Sequence, residues 1–301
     1  MRALLQSRVA LAIGIAVTLA LPVLTLPRLP EVTWWPALLG LAVWMIGKYV
    51  LCPLRWRALS AQRLTRWWHA RVYAESELFG LATPGHVGGD LWRLRRLSTA
   101  TDSRLDAVTS VGLDRVVSAI AVAAFVVFAG AELPWRSLLA VLTVTLVALG
   151  TAYVVHLRRP DLLPKPTLPR ARPLIYGLLL SLAYELSIAV FVIGTVAATG
   201  HDLPLLALLA AFGASQLAGA VPGPHGASPR DAALVVGLVA VGMPWMAATA
   251  AVALKSILVW APALVLGGAS LLAHRRTCRK AGPPSWRPSL PLVLSPARPT
   301  G

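Results

Sequence analysis

Six long apolar runs constrain this chain more than any other feature of its sequence. Each is close to the roughly 20 residues that an α-helix needs to cross a bilayer core about 30 Å thick. The runs are Val9–Leu26, Trp34–Leu54, Ala107–Ala129, Ser137–His156, Leu174–Ala198 and Trp245–Leu272. Because lipid offers no hydrogen bonds to the backbone, the pattern predicts an all-α polytopic membrane protein with about six full transmembrane helices.

The charge of the chain fits a membrane protein better than a soluble one. Hydrophobic residues make up 57% and charged residues only 13%, yet the net charge is +16. A soluble nucleic-acid binder needs a polar surface to carry such a charge, whereas the loops of a membrane protein can place it against anionic lipid headgroups. Two cysteines exclude a disulfide framework and a cysteine-based zinc ribbon.

The basic residues predict an orientation. If the N-terminus is cytoplasmic and the chain crosses six times, the outer loops receive only Arg28 and Arg136, and nearly all other loop cations face the cytoplasm. Both termini are then cytoplasmic, and a GC-rich bacterial composition suggests the plasma or inner membrane. We expect an uncleaved first helix, since no small-residue cleavage site follows it. Residues 57–71 are interpreted either as an interfacial helix or as an ordinary basic loop.

We expect one membrane domain, residues 1–273, built from two halves, about 1–157 and 173–273. A basic, Pro-rich cytoplasmic tail over 274–301 is expected to be disordered. Each half contains a shorter element broken by Gly and Pro: Tyr73–Gly89 in the first, and Pro204–Val221 with Asp231–Gly242 in the second. We predict two re-entrant hairpins entering from opposite sides as an inverted repeat, as in secondary transporters. The alternative is that they are turns between short helices.

Charged residues within the apolar runs are costly there and usually face a partner or an aqueous path. They are Lys48, Asp114, Arg115, Glu185 and Lys255. Lys48 and Glu185 can form a structural ion pair or serve transport. Arg115 and Lys255 occupy matching places in the two halves, and we expect them to hold a phosphate, while Asp90 and Asp231 orient the cations or relay a proton.

The order of these residues resembles a known family. The first half carries Pro84, Gly88-Gly89-Asp90, Arg93 and Leu113-Asp114-Arg115, and the second carries an ungapped stretch from Pro222 to Leu234 followed by Lys255. Together they resemble the lysylphosphatidylglycerol-synthase transmembrane region, a flippase-like membrane domain, from about Trp34 to Leu272. This chain departs from the family pattern at His225 and Ser228, which replace glycines, at Asp231, which replaces a glutamate, and at Lys255. Lysine in place of arginine loses the bidentate fork suited to phosphate.

The resemblance implies a lipid translocator that moves an anionic or aminoacylated phospholipid, or a lipid-linked intermediate, between leaflets. The glycines would let a headgroup approach the backbone, and the cations would neutralise its phosphate. We expect no cofactor, no metal and no catalytic residue. The expected substrate-binding residues are Pro84, Gly85, Gly88, Gly89, Asp90, Arg93, Arg115, Pro222, Gly223, Pro224, His225, Gly226, Arg230, Asp231 and Lys255.

Enzymatic activity is not expected, because no catalytic motif is present. The bifunctional members of the resembled family carry a soluble aminoacyltransferase domain, and only the Pro-rich tail follows Leu272 here. The expected partners are membrane lipids with anionic headgroups, a lipid-modifying enzyme and further copies of the chain, but no nucleic acid. Two other functions stay open. The protein can be a non-transporting partner that presents lipid to, or regulates, an envelope-lipid enzyme, or a membrane-embedded transferase using Asp90 or Asp231.

Overall fold

The computed structural model describes residues 32–81, 83, 86–129, 171–219 and 228–280. Over these residues the protein is helical and contains no strand. Four helices are long and apolar enough to cross a membrane: Trp34–Leu59, Arg104–Phe128, Ala171–Ala198 and Trp245–His274. They correspond to four of the predicted spans, and the other two, Val9–Leu26 and Ser137–His156, lie outside the described residues.

The described helices fall into two groups, spanning helices and shorter paired ones. In chain order they are α1 (Trp34–Ile46), α2 (Cys52–Leu59), α3 (Arg66–Leu81), α4 (Val87–Thr101), α5 (Arg104–Phe128), α6 (Ala171–Ala198), α7 (Leu205–Ala218), α8 (Pro229–Ala240), α9 (Trp245–Pro262) and α10 (Gly268–Lys280). The last helix continues into the first residues of the predicted tail. The segment 57–71 is not a separate interfacial helix, because α2 ends at Leu59 and α3 begins at Arg66.

Two spanning helices contain a π-helical turn beside a proline. Gly47–Leu51 joins α1 to α2 just before Pro53, and Ala263–Gly267 joins α9 to α10 just after Pro262. Proline has no N–H to donate and crowds the preceding turn, so the helix widens before Pro53 instead of keeping its regular bonds. The first of these turns carries Lys48, whose side chain is largely buried in the protein.

Helix α6 packs closely against α1 at two glycines. A Cβ on Gly194 would lie 2.4 Å from the carbonyl oxygen of Pro36, and one on Gly40 would lie 2.9 Å from the Cα of Phe191. Only residues without a side chain allow backbones to approach this closely. The apolar core around this crossing is formed mainly by Trp44, Phe191, Phe212, Leu238 and Trp260.

The shorter helices form two hairpins, α3 with α4 and α7 with α8. At 1.5 Å per residue α3 is about 24 Å long and α8 about 18 Å, which is less than the bilayer core requires. Both open ends of the first hairpin lie beside α10: Arg71 donates to the Ser270 hydroxyl at 3.4 Å, and Arg96 contacts His274 at 2.9 Å.

The second hairpin starts from the other end of the bundle. There the Thr33 amide donates to the carbonyl of Ala198 at 2.9 Å, which places the start of α1 beside the end of α6. Residues 199–204 lead directly from that end into α7, and residues 241–244 lead from α8 into α9. The two hairpins therefore enter the helix bundle from opposite ends.

Candidate functional site

A buried carboxylate, Asp114, holds two arginines in the first half. Arg55 donates to both Asp114 oxygens, with an Nε–Oδ1 distance of 2.7 Å, and Arg93 donates to Oδ2, also at 2.7 Å. A further Arg55 nitrogen reaches the Ser181 hydroxyl on α6 at 3.1 Å. Arg93 also lies over the rings of Trp56 and Tyr73, 5.5 and 5.2 Å from their centroids. Because its charges are paired and hydrogen-bonded, this group can be accommodated inside the protein.

Asp90 continues the chain of charges toward the protein surface. It accepts from Arg93 and, through both oxygens, from Arg115 on α5, with Nε–Oδ2 and Nη2–Oδ1 distances of 2.8 and 2.7 Å. Burial acts to raise the pKa of Asp90, but the hydrogen bond from Arg115 and the charge of Arg93 outweigh it and hold that pKa below its ordinary value. The Arg115 side chain is 51% exposed. This row of linked charges, which starts at Asp114, therefore ends in a cation that a ligand can reach.

The second half contains a corresponding carboxylate. Asp231 lies in the first turn of α8, where it forms a capping box with Ser228: the Ser228 hydroxyl accepts from the Asp231 amide at 3.2 Å and donates to Oδ2 at 2.7 Å. Its other oxygen, Oδ1, accepts from Lys255 Nζ on α9 at 2.8 Å. Lys255 is 8% exposed, and this pair is therefore inside the protein.

The two halves thus repeat one arrangement. In each, an aspartate in the first turn of the second hairpin arm is bonded to a cation on the next spanning helix, 25 residues later for Asp90 and Arg115 and 24 residues later for Asp231 and Lys255. The sequence placed Arg115 and Lys255 in matching positions, and the structure shows that each is the direct partner of the aspartate in its own half.

Lys48 pairs with a different residue from the one predicted. Its Nζ lies 2.9 Å from Glu77 Oε2 on α3, and it also lies 5.7 and 5.5 Å from the ring centroids of Tyr73 and Tyr184. The predicted Lys48–Glu185 pair is therefore wrong. The π-helical turn at Lys48 changes the direction of its side chain, and the spacing of apolar residues does not reveal that change.

The tip of the first hairpin approaches charges from both halves. His86 has a left-handed backbone, φ 58°, and its ring fills the space where a Cβ on Gly80 would lie. Glu77, Lys48, Arg115 and Arg230 are all within electrostatic range of it, and burial lowers the pKa of His86 to about 4. Since Arg230 belongs to the second hairpin and Arg115 to the first half, the charged groups of the two halves meet in this region.

Sequence reasoning missed a second buried carboxylate, Glu75, that binds residues from two other helices. This residue is fully buried and accepts from Trp92 Nε1 at 3.0 Å and from the Ser270 hydroxyl at 2.9 Å, while Arg96 Nε lies 3.3 Å away. Glu75 fastens the open end of the first hairpin to α10. The spacing of Trp92 and Arg96, one helical turn apart, was the available signal. Glu75 and Glu77 have separate partners, Arg96 and Lys48, and therefore do not form a carboxylate pair.

Two of the predicted site glycines, Gly88 and Gly89, are among the described residues, and both allow α4 to pack closely against α3 and the turn after it. A Cβ on Gly89 would lie 2.6 Å from the Ser76 carbonyl oxygen, and one on Gly88 would lie 2.7 Å from the Thr83 hydroxyl, so α3 occupies the space beside both. The predicted site residues Pro84, Gly85, Pro222, Gly223, Pro224, His225 and Gly226 lie outside the described residues. Over the described part of the chain no group of His, Cys, Asp and Glu is arranged to hold a metal ion.

A protein-family comparison supplies the assignment that the geometry alone does not. The family model described as the lysylphosphatidylglycerol synthase TM region matches residues 7–267. The chain belongs to this family. No curated protein and no solved structure gives a significant match. Membership in the lysylphosphatidylglycerol synthase TM family confirms the resemblance found in the sequence and identifies the chain as a membrane protein of a lipid-related family.

Proposed function

We propose that this protein is a lipid translocator, which moves an anionic or aminoacylated phospholipid, or a lipid-linked intermediate, between leaflets. The observation that carries the proposal is the repeated aspartate–cation pair, Asp90 with Arg115 and Asp231 with Lys255, in two hairpins that enter from opposite ends. A charged headgroup crossing a bilayer needs polar groups along its path, and ionisable residues inside membrane domains commonly mark such paths.

In this proposal the hairpins are re-entrant and meet near the middle of the membrane. Their lengths, of about 18 to 24 Å, suit elements that enter the bilayer core and return. With six crossings and both termini in the cytoplasm, the first hairpin opens to the inside and the second to the outside of the plasma or inner membrane. Such an arrangement of broken helices around a central site is typical of alternating-access transporters.

The cations divide into two roles. Arg93 and Lys255 are nearly inaccessible and are bonded to carboxylates, so they position Asp90 and Asp231. Arg115 is half exposed, and no ion pair or hydrogen bond from the described residues holds the partly buried Arg230. We propose that Arg115 and Arg230 contact the lipid phosphate while the acyl chains remain in the bilayer. Binding and movement then need no catalytic residue, and we propose no enzymatic activity.

A leaflet-exchange assay with one arginine changed tests this function. Purified protein in vesicles that contain headgroup-labelled phosphatidylglycerol should bring inner-leaflet label to an impermeant quencher. Arg115→Gln should slow this exchange by about tenfold or more, because a charge-assisted contact to phosphate is lost. Arg104→Gln changes the same residue type at an exposed position in the first turn of the same helix and should exchange as the wild type does.

Two results would contradict the proposal. Equal exchange by Arg115→Gln and wild type would remove Arg115 from the lipid path. Exchange by the wild type no faster than in empty vesicles, with and without an ion gradient, would argue instead for a non-transporting partner that presents lipid to another enzyme.

A further inference from the structure

One buried carboxyl group has no role in the pairs described above. Glu185 lies near the centre of α6, a 28-residue spanning helix, and is 5% exposed. Among the residues that the structure describes, its Oε2 atom has no hydrogen-bond partner, and no ion pair includes it. An ionised carboxylate that is buried without a partner is among the most costly groups a protein can contain.

The groups around Glu185 are mostly cations that already have partners. Arg230, Arg55 and Lys48 act on it electrostatically, with Arg230 the strongest of the three, and Tyr184 lies next to it on α6. Arg55 is bonded to Asp114 on α5 and to Ser181, and Lys48 is bonded to Glu77 on α3. On α9, Lys255 is bonded to Asp231.

Arg230 differs from these cations. No ion pair or hydrogen bond formed by the described residues holds its guanidinium group. Within the described part of the chain, Glu185 on α6 and Arg230 on α8 are therefore a carboxyl group and a cation that have no ion-pair partner and lie within electrostatic range of each other. Arg230 also acts electrostatically on two other titratable groups, His86 and Lys255.

We propose that Glu185 is a proton-binding site that controls whether Arg230 can hold the lipid phosphate. With a proton on Glu185, the carboxyl group is neutral and Arg230 is free to bind phosphate. When that proton leaves, the carboxylate attracts Arg230 into an ion pair, and Arg230 is withdrawn from the headgroup. This proposal rests on the translocator function, and it adds proton coupling to the same site.

The coupling works in both directions because binding equilibria are reciprocal. Protonation of Glu185 strengthens phosphate binding at Arg230, and a bound phosphate likewise favours the protonated Glu185. If the headgroup binds when Glu185 takes up a proton and leaves when Glu185 releases it, lipid movement is linked to a proton gradient across the membrane. The covalent chemistry is limited to one O–H bond, formed with a proton from water and broken when that proton returns to water.

The test measures lipid binding, which does not require transport. The purified full chain in detergent micelles is titrated against an acyl-labelled phosphatidylglycerol, whose phosphodiester stays anionic from about pH 5 to about pH 9. We expect the wild-type dissociation constant to rise by about tenfold or more across this range. Glu185→Gln, which resembles the protonated state, should bind as tightly at high pH as at low pH. Arg230→Gln should bind weakly at every pH.

His86→Gln is the matched control, because it removes another titratable group near Arg230. It should retain the wild-type pH dependence. A wild-type affinity that does not change with pH would overturn the proposal, as would a wild-type pH profile in Glu185→Gln. If Glu185→Gln fails to fold, Arg230→Gln decides, since a wild-type pH profile in that variant also overturns the proposal.

The binding assay separates this proposal from the translocator function. No lipid binding at any pH overturns both. Leaflet exchange together with pH-independent binding overturns the proton site alone. If lipid binding depends on pH and requires Glu185 but no leaflet exchange occurs, the result supports the proton site and contradicts translocation.

Discussion

Asp114 is a deeply buried carboxylate that joins two arginines in the first half. It is 1% exposed and bonded to Arg55 and Arg93, which come from two other helices. The sequence marked it as a charge inside an apolar run but placed the substrate role on Arg115, the next residue. Their positions explain the division: Asp114 faces the interior of the bundle, and Arg115 lies on the exposed side of α5.

Replacement of Asp114 should destabilise the whole protein. Asp114→Asn leaves two buried guanidinium groups without their shared carboxylate, and we expect a loss of about 3 kcal/mol or more in the free energy of unfolding. The measurement is the thermal midpoint of the purified protein in detergent. Asp106→Asn, in the first turn of the same helix, should change it little. An unchanged midpoint for Asp114→Asn would contradict this account of the cluster.

The residue-level pairing was predictable only where the sequence repeats itself. Arg115 and Lys255 lie at similar distances after the Gly- and Pro-rich breaks of the two halves, so the sequence marked both cations as candidates and expected Asp90 and Asp231 to orient them. The partner of Lys48 was not predictable, because Glu77 and Glu185 were both available and the choice depends on a local π-helical turn. Glu75 was missed because its partners lie on two other helices, one of them about 195 residues away.

Among the helices, the crossing of α1 and α6 depends on the absence of side chains. A methyl group on Gly194 would meet the Pro36 carbonyl oxygen at 2.4 Å, and backbone cannot move aside as a flexible side chain can. Gly194→Ala should therefore force the helices apart and lower stability by about 1–3 kcal/mol. Gly112→Ala is the control, because a Cβ there meets nothing within 4 Å.

Both glycine variants are measured by thermal unfolding in the same detergent. Gly112→Ala should be neutral or slightly stabilising, since alanine favours the helix. An equal midpoint for the two variants would mean that the close contact at Gly194 does not limit helix packing. The sequence predicted the helices themselves from their apolar runs, but it could not predict which glycines lie at a crossing, because glycine is frequent throughout the chain.

For the whole molecule, the excess of cations on one side predicts an orientation that chemical labelling can check. Gln62 lies in the exposed connection between α2 and α3, and Asp202 lies in the exposed connection between α6 and α7. In a Cys278→Ser background, a cysteine at position 202 should react with a membrane-impermeant maleimide in intact cells. A cysteine at position 62 should react only after the cells are opened, because its loop is cytoplasmic.

The opposite labelling pattern would invert the topology, and the two hairpins would then open to the other sides of the membrane. Equal labelling of both positions in intact cells would contradict the arrangement of spans between them. The opposing entry of the two hairpins into the bundle would stand in either case, because it rests on contacts within the protein.

If the two aspartate–cation pairs line a lipid path, then leaflet exchange in reconstituted vesicles depends on their cations. Vesicles should contain headgroup-labelled anionic or zwitterionic lipid and either the wild type or Arg115→Ala/Lys255→Ala. We expect an impermeant quencher to reach more than the outer half of the label with the wild type and only the outer half with the double variant. Exchange by a folded double variant at the wild-type rate would contradict this expectation.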